Sequence, residues 1–183
     1  MLLETPMTEQ QYDAIIDKCK QIFAQKTQDY GTAWRVLRTI SIIDQIYIKA
    51  QRIRTIQEKG LQMVAENIEE EFMGIINYAT IGLIQLHLSE DAPEELGETE
   101  AVALYSSQLN AAKSLMLKKN HDYGEAWRNM QVESLTDLIL MKVHRAKQII
   151  INKGKTLISE GIDANYFDMI NYAVFALILI GEQ

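Results

Sequence analysis

Apolar residues recur every three or four positions along most of the chain, which is the spacing of amphipathic helices. The first such segment runs from Thr8 to about Gln28. Its apolar positions are Tyr12, Ile15, Ile16, Cys19, Ile22 and Phe23. A second helix is predicted after Ser41 and ends near Gly60, since glycine suits a helix C-terminus. A third covers roughly Met63 to Leu88.

The same pattern returns in the second half of the chain. The run KTQDYGTAWR at residues 26–35 recurs as KNHDYGEAWR at 119–128, and Asn-Tyr-Ala at 77–79 recurs at 171–173. Counterparts of the three helices are predicted from about Ala101 to Lys119, from Ser134 to near Gly154, and from Ile162 to Ile180. A repeat of this quality indicates a tandem duplication of a roughly 90-residue three-helix unit.

We therefore predict an all-α helical bundle with pseudo-two-fold symmetry. Its parts are a first helical repeat over 1–88, an acidic linker over 89–100 and a second repeat over 101–183, together one compact unit. The linker reads SEDAPEELG at 89–97, which is rich in acidic and turn-forming residues. The duplication predicts an intramolecular pseudo-dimer, and it leaves open whether the chain also forms a homo-oligomer.

Charge and composition narrow the classes of partner. The 183 residues carry a formal net charge of −7, which argues against general nucleic-acid binding. The N-terminus lacks a signal peptide pattern, and the most apolar run, 173–180, is too short to span a bilayer. We predict a cytoplasmic protein without a membrane partner. Cys19, the single cysteine, is expected in the core.

A loop with an aromatic pair follows the first helix of each half. Its polar and aromatic members are Asp29, Tyr30 and Trp34 in the first half and Asp122, Tyr123 and Trp127 in the second. Tyrosine and tryptophan can stack on a nucleobase. In the alternative interpretation, the aspartates cap a short turn and the aromatics close the end of the bundle. Gly31 and Gly124 are expected in a backbone conformation that other residues resist.

A basic pair lies on the second helix of each half. Lys49 and Arg52 are three residues apart and share a helix face, as do Lys142 and Arg145. Such a pair suits phosphate or carboxylate oxygens, although salt bridges to the third helix explain it equally well. Ser41 with Asp44, and Ser134 with Asp137, fit a helix-capping pattern.

A stripe that contains several acidic residues lies along one face of the predicted third helix in each half. In the first half it consists of Glu66, Glu70, Gly74 and Asn77, and in the second of Glu160, Ala164, Asp168 and Asn171. Carboxylates that face the inside of a helical bundle are typical of Mg²⁺ sites. The alternative is an ordinary solvated face, which does not explain the recurring Asn-Tyr-Ala.

Together these motifs resemble the nucleotide-modification-associated domain family, and more distantly the MazG-like all-α nucleoside triphosphate pyrophosphatases. The resemblance covers 26–79 and 119–173. It implies a nucleotide or other small phosphorylated ligand and a Mg²⁺ cofactor. If the residue roles of the family are transferred to this sequence, the metal ligands are Glu66, Glu70, Glu160 and Asp168. Phosphate or ligand contacts fall on Lys49, Arg52, Asn77, Lys142, Arg145 and Asn171.

Two departures from the MazG-like pattern leave catalysis open. The paired-glutamate motif of those enzymes is absent from the second helix of each half, and each stripe has lost one carboxylate, at Gly74 and at Ala164. Either the halves complete one another's site, or both sites bind without hydrolysis. The sequence therefore predicts a Mg²⁺-dependent nucleotide-binding protein or pyrophosphohydrolase, with a non-catalytic helical module as the alternative.

Overall fold

Six helices make up the described part of the chain. The computed structural model describes residues 7–60, 67–156 and 160–183, and these ranges contain no strand. The helices are α1 (Met7–Tyr30), α2 (Thr39–Lys59), α3 (Ile68–His87), α4 (Glu98–Tyr123), α5 (Val132–Ile151) and α6 (Ile162–Gly181). A short 3₁₀ turn follows α1 at Ala33–Val36 and α4 at Ala126–Asn129. The predicted all-α class and the repeated order of three helices are confirmed.

The two halves share one core. Helix α3 packs against α2 and α6, while α5 packs against α6 and α2, so these four helices form the centre. Helices α1 and α4 contact each other and both contact α3 and α6. Each half thus contributes two central helices and one flanking helix. Because the flanking helices cross between halves, a cavity beside α1 or α4 includes residues of both repeats.

Two ion pairs between α2 and α5 reflect the pseudo-two-fold symmetry. Asp44 contacts Lys147 at 3.1 Å, and Arg54 contacts Asp137 at 3.6 Å. Asp44 and Arg54 correspond in the repeat to Asp137 and Lys147, so the same contact is made twice with the halves exchanged. The aspartates are more than half exposed, and such surface pairs contribute little stability. Their value lies in showing how the duplicated halves face each other.

The predicted caps at Ser41 and Ser134 are wrong. Helix α2 has Arg38 at its N-cap and α5 has Gln131, and neither N-cap side chain makes a capping hydrogen bond. Each helix begins two residues before the serine, which therefore lies inside the first turn. The extended backbone at Arg38 starts α2 without a side-chain cap. Asp44, the other half of the predicted capping pattern, pairs instead with Lys147.

Left-handed backbone at the ends of the flanking helices confirms the role predicted for two glycines. Gly31 has a φ of +61° and Gly124 has a φ of +59°, a region in which a side chain is strained. A Cβ atom on Gly31 would also meet the Glu95 carboxylate. These glycines let the chain turn sharply from α1 and α4 into the 3₁₀ turns.

The segment between the halves packs onto the first aromatic loop. The Thr32 hydroxyl donates to the Glu94 carbonyl at 2.7 Å and accepts from the Leu96 N–H at 2.9 Å. Arg35 donates to the carbonyls of Ala92 and Pro93. Helix α4 begins at Glu98, so the last three residues of the predicted linker are helical. The segment is thus bonded to the first half through its backbone.

The third helix of each half is the most apolar. Helix α3 begins at Ile68, with the Asn67 side chain accepting from the Glu70 N–H at 2.9 Å, whereas the predicted start at Met63 lies outside the described residues. Helix α6 is long and apolar enough to cross a membrane by length and composition, but most of it is buried inside the bundle. That burial is typical of a core helix.

Candidate functional site

A cavity of about 360 Å³ lies between α1, α2, α3 and α4; we call it the first-half cavity. Cys19, Ile22 and Met73 give it an apolar wall. Lys26 and Lys49 line it together with Asn77 and the ring of Tyr78. Ligand pockets in proteins combine mostly apolar walls with a few placed polar groups. The cavity therefore has the size and composition of a small-molecule site.

Two lysines of this cavity differ in how well they are neutralised. Lys49 Nζ lies 3.7 Å from Glu71, and Arg52 holds the same carboxylate at 3.0 Å. Lys26 has no hydrogen bond or ion pair with any residue in the described ranges, and it is exposed. Two cations thus share one buried carboxylate while a third has none. Glu70 and Glu71 also line this cavity, but neither forms an ion pair with Lys26 in the described residues.

Two polar groups of the cavity have no hydrogen-bond partner among the described residues. Tyr105 is 1% exposed, and its hydroxyl makes no hydrogen bond to a described residue. Thr80 is its polar neighbour, and the Thr80 hydroxyl donates to the Ile76 carbonyl at 2.6 Å. Burial raises the pKa of Tyr105 well above its ordinary value. The Asn77 side chain makes no hydrogen bond to a described residue either. Both side chains line the cavity and can therefore hydrogen-bond to a bound ligand.

The equivalent groups in the second half bond to each other. The Tyr12 hydroxyl donates to Asn171 Oδ1 at 2.7 Å, and Asn171 Nδ2 donates to the Ala112 carbonyl at 3.2 Å. In the repeat Tyr12 corresponds to Tyr105 and Asn171 to Asn77. Asn171, predicted to contact ligand, uses both ends of its amide inside the bundle. Asn77 lines the cavity and has no hydrogen bond to a described residue, so its amide can still contact a ligand as predicted.

Cys19 is inert on the apolar wall. It is 4% exposed, and burial raises the pKa of its thiol to about 12. Its predicted core position is confirmed. Because the thiolate is the nucleophilic form, this cysteine supplies packing and no nucleophile at neutral pH. Its counterpart in the second half is Ala112, so the first-half cavity differs from its counterpart in this wall as well.

An ion-pair network fills the corresponding place in the second half. Asp168, which stands where the first half has Gly74, contacts Lys119 at 2.8 Å and Lys142 at 2.7 Å. Asp168 and Lys142 are both buried. Burial alone would lower the pKa of Lys119, but the hydrogen bond and the charge of Asp168 outweigh it and raise that pKa. The second half therefore satisfies its own lysines.

A second cleft, on the outer face of α5, is larger and more open. Its volume is about 980 Å³, and its lining includes Lys142, Arg145, Lys155 and Glu160. Arg145 is exposed and has no ion pair within the described residues. The predicted basic pair of this half is therefore divided, because Lys142 is held by Asp168 while Arg145 faces the cleft.

The carboxylates predicted to hold Mg²⁺ do not converge in the described residues. Glu66 lies outside them, Glu70 is exposed in the first turn of α3, and Glu160 precedes α6. Asp168 is engaged by two lysines. No group of three or more His, Cys, Asp or Glu suited to a metal occurs in 7–60, 67–156 and 160–183. Glu70 and Glu71 both line the first-half cavity, and Mg²⁺ can be held by one or two carboxylates together with phosphate oxygens, so the magnesium cofactor stays a prediction.

The aromatic loops divide into exposed and buried members. Tyr30 and Tyr123 are 72% and 74% exposed. Trp127 stacks on Phe175 at 4.2 Å between ring centres, and Trp34 packs against Phe23. The exposed Asp29 and Asp122 lie in the last turns of α1 and α4, where they cap nothing. The tryptophans close the bundle, and the tyrosines are free to contact a ligand.

Glu71, Lys26 and Tyr105 line the cavity but were not among the predicted site residues. Glu71 is next to Glu70 of the predicted stripe. Helix α3 begins after the N-cap Asn67, and in this helix Glu71 is the glutamate that contacts Arg52. Lys26 and Tyr105 each have an identical counterpart in the other half, Lys119 and Tyr12. That recurrence was the signal from which both could have been found.

Comparison with known proteins identifies the repeated unit. The family model described as "Nucleotide modification associated domain 1" matches twice, at residues 26–86 and 119–180. No curated protein and no solved structure matches the chain. The two matches fall one in each half, as the duplication predicts, and together they cover more than half of the sequence. The chain therefore belongs to the nucleotide modification associated domain 1 family and carries two copies of its domain.

Proposed function

We propose that this protein binds a nucleotide in the first-half cavity. The observation that carries the proposal is the convergence of Lys26, Lys49 and Asn77 on one cavity with an apolar wall. A nucleotide needs both kinds of surface, because its phosphate is anionic and its base is flat and apolar on its faces. The family description supports this ligand class.

The division of the cavity favours one orientation of the nucleotide. Lys26 and Lys49 supply charge for phosphate oxygens, while Cys19, Ile22 and Met73 offer an apolar surface to the base. Lys49 Nζ lies 5.9 Å from the centre of the Tyr78 ring, so the cationic and aromatic parts of the site adjoin. Asn77 can donate to and accept from a base or sugar. About 360 Å³ is within the range of small-ligand pockets.

Calorimetric titration with nucleoside mono-, di- and triphosphates tests this proposal. The wild type is expected to bind one nucleotide per chain. Lys26→Ala is expected to weaken binding about tenfold, because it removes the cavity cation that has no ion pair with a described residue. Lys18→Ala on the same helix is the matched control, since Lys18 is exposed and outside the cavity. Absence of binding across the panel, or equal affinity in Lys26→Ala, would contradict the proposal.

A Mg²⁺-dependent pyrophosphohydrolase is the second candidate function, favoured by Glu70, which lines the same cavity as the lysines. The test is release of pyrophosphate from nucleoside triphosphates with Mg²⁺ and with a chelator. Loss of release in Glu70→Gln, but not in Glu69→Gln on the same turn, would support catalysis. Binding without release in any condition would leave the protein a non-catalytic nucleotide binder.

A further inference from the structure

Asp168 and Gly74 occupy the same place in the two repeats. In the second half the Asp168 carboxylate lies between Lys119, at 2.8 Å, and Lys142, at 2.7 Å. Those lysines are the counterparts of Lys26 and Lys49. The distances are those of charge-assisted hydrogen bonds. One carboxylate therefore satisfies the two lysines at once.

The first half has the lysines without that carboxylate. Gly74 has no side chain, and Lys26 has no ion pair within the described part of the chain. The Lys49 side chain leans over Gly74, with its Cε 2.7 Å from where a Cβ atom would stand. Its ammonium group reaches Glu71 only at 3.7 Å. Lys26 and Lys49 both line the cavity beside Gly74, and Gly74 supplies no carboxylate there to pair with them; we call the space beside Gly74 the anion position.

The exchange at a neighbouring position strengthens the contrast. Glu71 corresponds to Asn165 in the second half. In the first half the buried carboxylate, Glu71, contacts Lys49 and Arg52. In the second half the buried carboxylate, Asp168, contacts Lys142 and Lys119. As a result the cation without a carboxylate is Lys26 in one half and Arg145 in the other. The two repeats therefore differ in the location of their buried carboxylate.

We propose that Asp168 imitates a ligand: its carboxylate fills, in the second half, the place that a nucleotide phosphate takes between Lys26 and Lys49 in the first. This inference rests on the proposed function and locates the phosphate within the cavity. A phosphate presents oxygens to both ammonium groups as the carboxylate does. The first half is then the binding half, the second is closed by its own side chain, and the chain binds one nucleotide.

Gly74→Asp tests the anion position directly. The new carboxylate is expected to pair with Lys26 and Lys49 and to weaken binding of thymidine 5′-monophosphate and of inorganic phosphate at least about tenfold. The Cβ atom added there meets the flexible end of Lys49, so the variant is expected to fold. Gly74→Asn is the matched control, because it adds the same volume without the charge and is expected to bind more tightly than Gly74→Asp.

Asp168→Gly provides the reverse test in the second half. It frees Lys119 and Lys142, and inorganic phosphate is expected to raise its unfolding temperature more than that of the wild type. With thymidine 5′-monophosphate the calorimetric stoichiometry is expected to rise from one toward two. Far-ultraviolet circular dichroism checks that the variant is folded. If phosphate raises the unfolding temperature of folded Asp168→Gly no more than that of the wild type, the proposal that Asp168 imitates a ligand is wrong.

The two proposals fail in different ways. If the wild type binds nucleotide and Gly74→Asp binds it as tightly as Gly74→Asn, the anion position is wrong while nucleotide binding stands. If the wild type binds no nucleotide but phosphate stabilises Asp168→Gly, the lysine pair is an anion site and the nucleotide proposal is wrong. Equal loss of binding in Gly74→Asp and Gly74→Asn would also overturn the charge argument, since volume alone would explain it.

Discussion

The Tyr12 hydroxyl donates a 2.7 Å hydrogen bond to Asn171, joining the first helix of one repeat to the last helix of the other. Tyr105 and Asn77 are the same two residues in the exchanged halves, and Tyr105 has no hydrogen-bond partner among the described residues. Both repeats thus have the tyrosine and the asparagine, but only Tyr12 and Asn171 are hydrogen-bonded to each other. The open pair lies in the cavity to which we assign nucleotide binding.

Replacing either tyrosine by phenylalanine should have opposite effects on stability. Tyr12→Phe leaves the buried Asn171 oxygen without a donor, so we expect a loss of about 1–3 kcal/mol in the free energy of unfolding. Tyr105→Phe removes an unpaired buried hydroxyl, so we expect no loss and a gain of up to about 1 kcal/mol. Urea unfolding of both variants measures the difference. Equal destabilisation would mean that Tyr105 is also bonded in the folded protein.

Asp168→Asn should destabilise the second half. The variant leaves the buried Lys142 and the half-exposed Lys119 without their anion, and breaking a buried pair in this way costs about 3 kcal/mol. Asp137→Asn is the control, because Asp137 is mostly exposed and lies 3.6 Å from Arg54; we expect a change below about 0.5 kcal/mol there. Equilibrium unfolding in urea compares the two, and similar values would contradict a central role of Asp168.

Substitutions in the second aromatic loop should separate packing from exposure. Trp127 is 6% exposed, stacks on Phe175 and has the Arg128 guanidinium 4.5 Å from its ring centre. Trp127→Ala is therefore expected to cost about 3–5 kcal/mol. Tyr123 is 74% exposed, so Tyr123→Ala should change stability by less than about 0.5 kcal/mol. Thermal unfolding measures both. A tolerated Trp127→Ala would show that the tryptophan does not close the bundle end.

Cys19 should make stability fall at alkaline pH. Burial raises its pKa from 9.0 to about 12, so above about pH 9 the unfolded chain loses this proton and the folded chain keeps it. The free energy of unfolding then falls by about 1.4 kcal/mol per pH unit from this residue until the pH reaches the folded pKa. Cys19→Ala, which introduces the residue found at the equivalent position 112, should remove that part of the slope.

The slope of stability against pH is the quantity to compare, since the substitution also shifts the whole curve through lost packing. Tyr12, Tyr105 and Tyr166 have pKa values raised by burial and remain in both proteins. Burial, the main cause of these shifts, is unchanged in Cys19→Ala, whereas the smaller increase that the Cys19 charge causes at Tyr12 and Tyr105 is lost with the thiol. Urea unfolding between about pH 8 and 11 gives the two slopes. Parallel curves would show that the thiol titrates alike in the folded and unfolded chains.

The helices could be predicted because their apolar spacing and the repeat carry the information locally. Helix α6 begins at Ile162, as predicted, and the bounds of α1 differ from the prediction by one or two residues. The start of α2 was harder, because Arg38 begins the helix through its backbone conformation and leaves no side-chain signal. Ser41 therefore looked like a cap although it lies within the first turn.

The partners of the charged residues could not be predicted because they lie on different helices. Asp168 fitted a metal-binding stripe in sequence, but its contacts are Lys119 on α4 and Lys142 on α5. Which of Glu70 and Glu71 faces Arg52 depends on the rotation of α3 about its axis. Spacing along one helix gives a face, whereas the neighbour of that face is decided by the packing of the whole bundle.

A crystal structure of the protein with thymidine 5′-monophosphate shows directly where the nucleotide binds. We expect one nucleotide per chain, in the first-half cavity, with its phosphate oxygens within about 3 Å of Lys26 Nζ and Lys49 Nζ. Asp168 should remain bonded to Lys119 and Lys142 in the same crystal. A nucleotide in the cleft beside Arg145 and Glu160, with the first-half cavity empty, would show that Lys26 and Lys49 do not form the phosphate site.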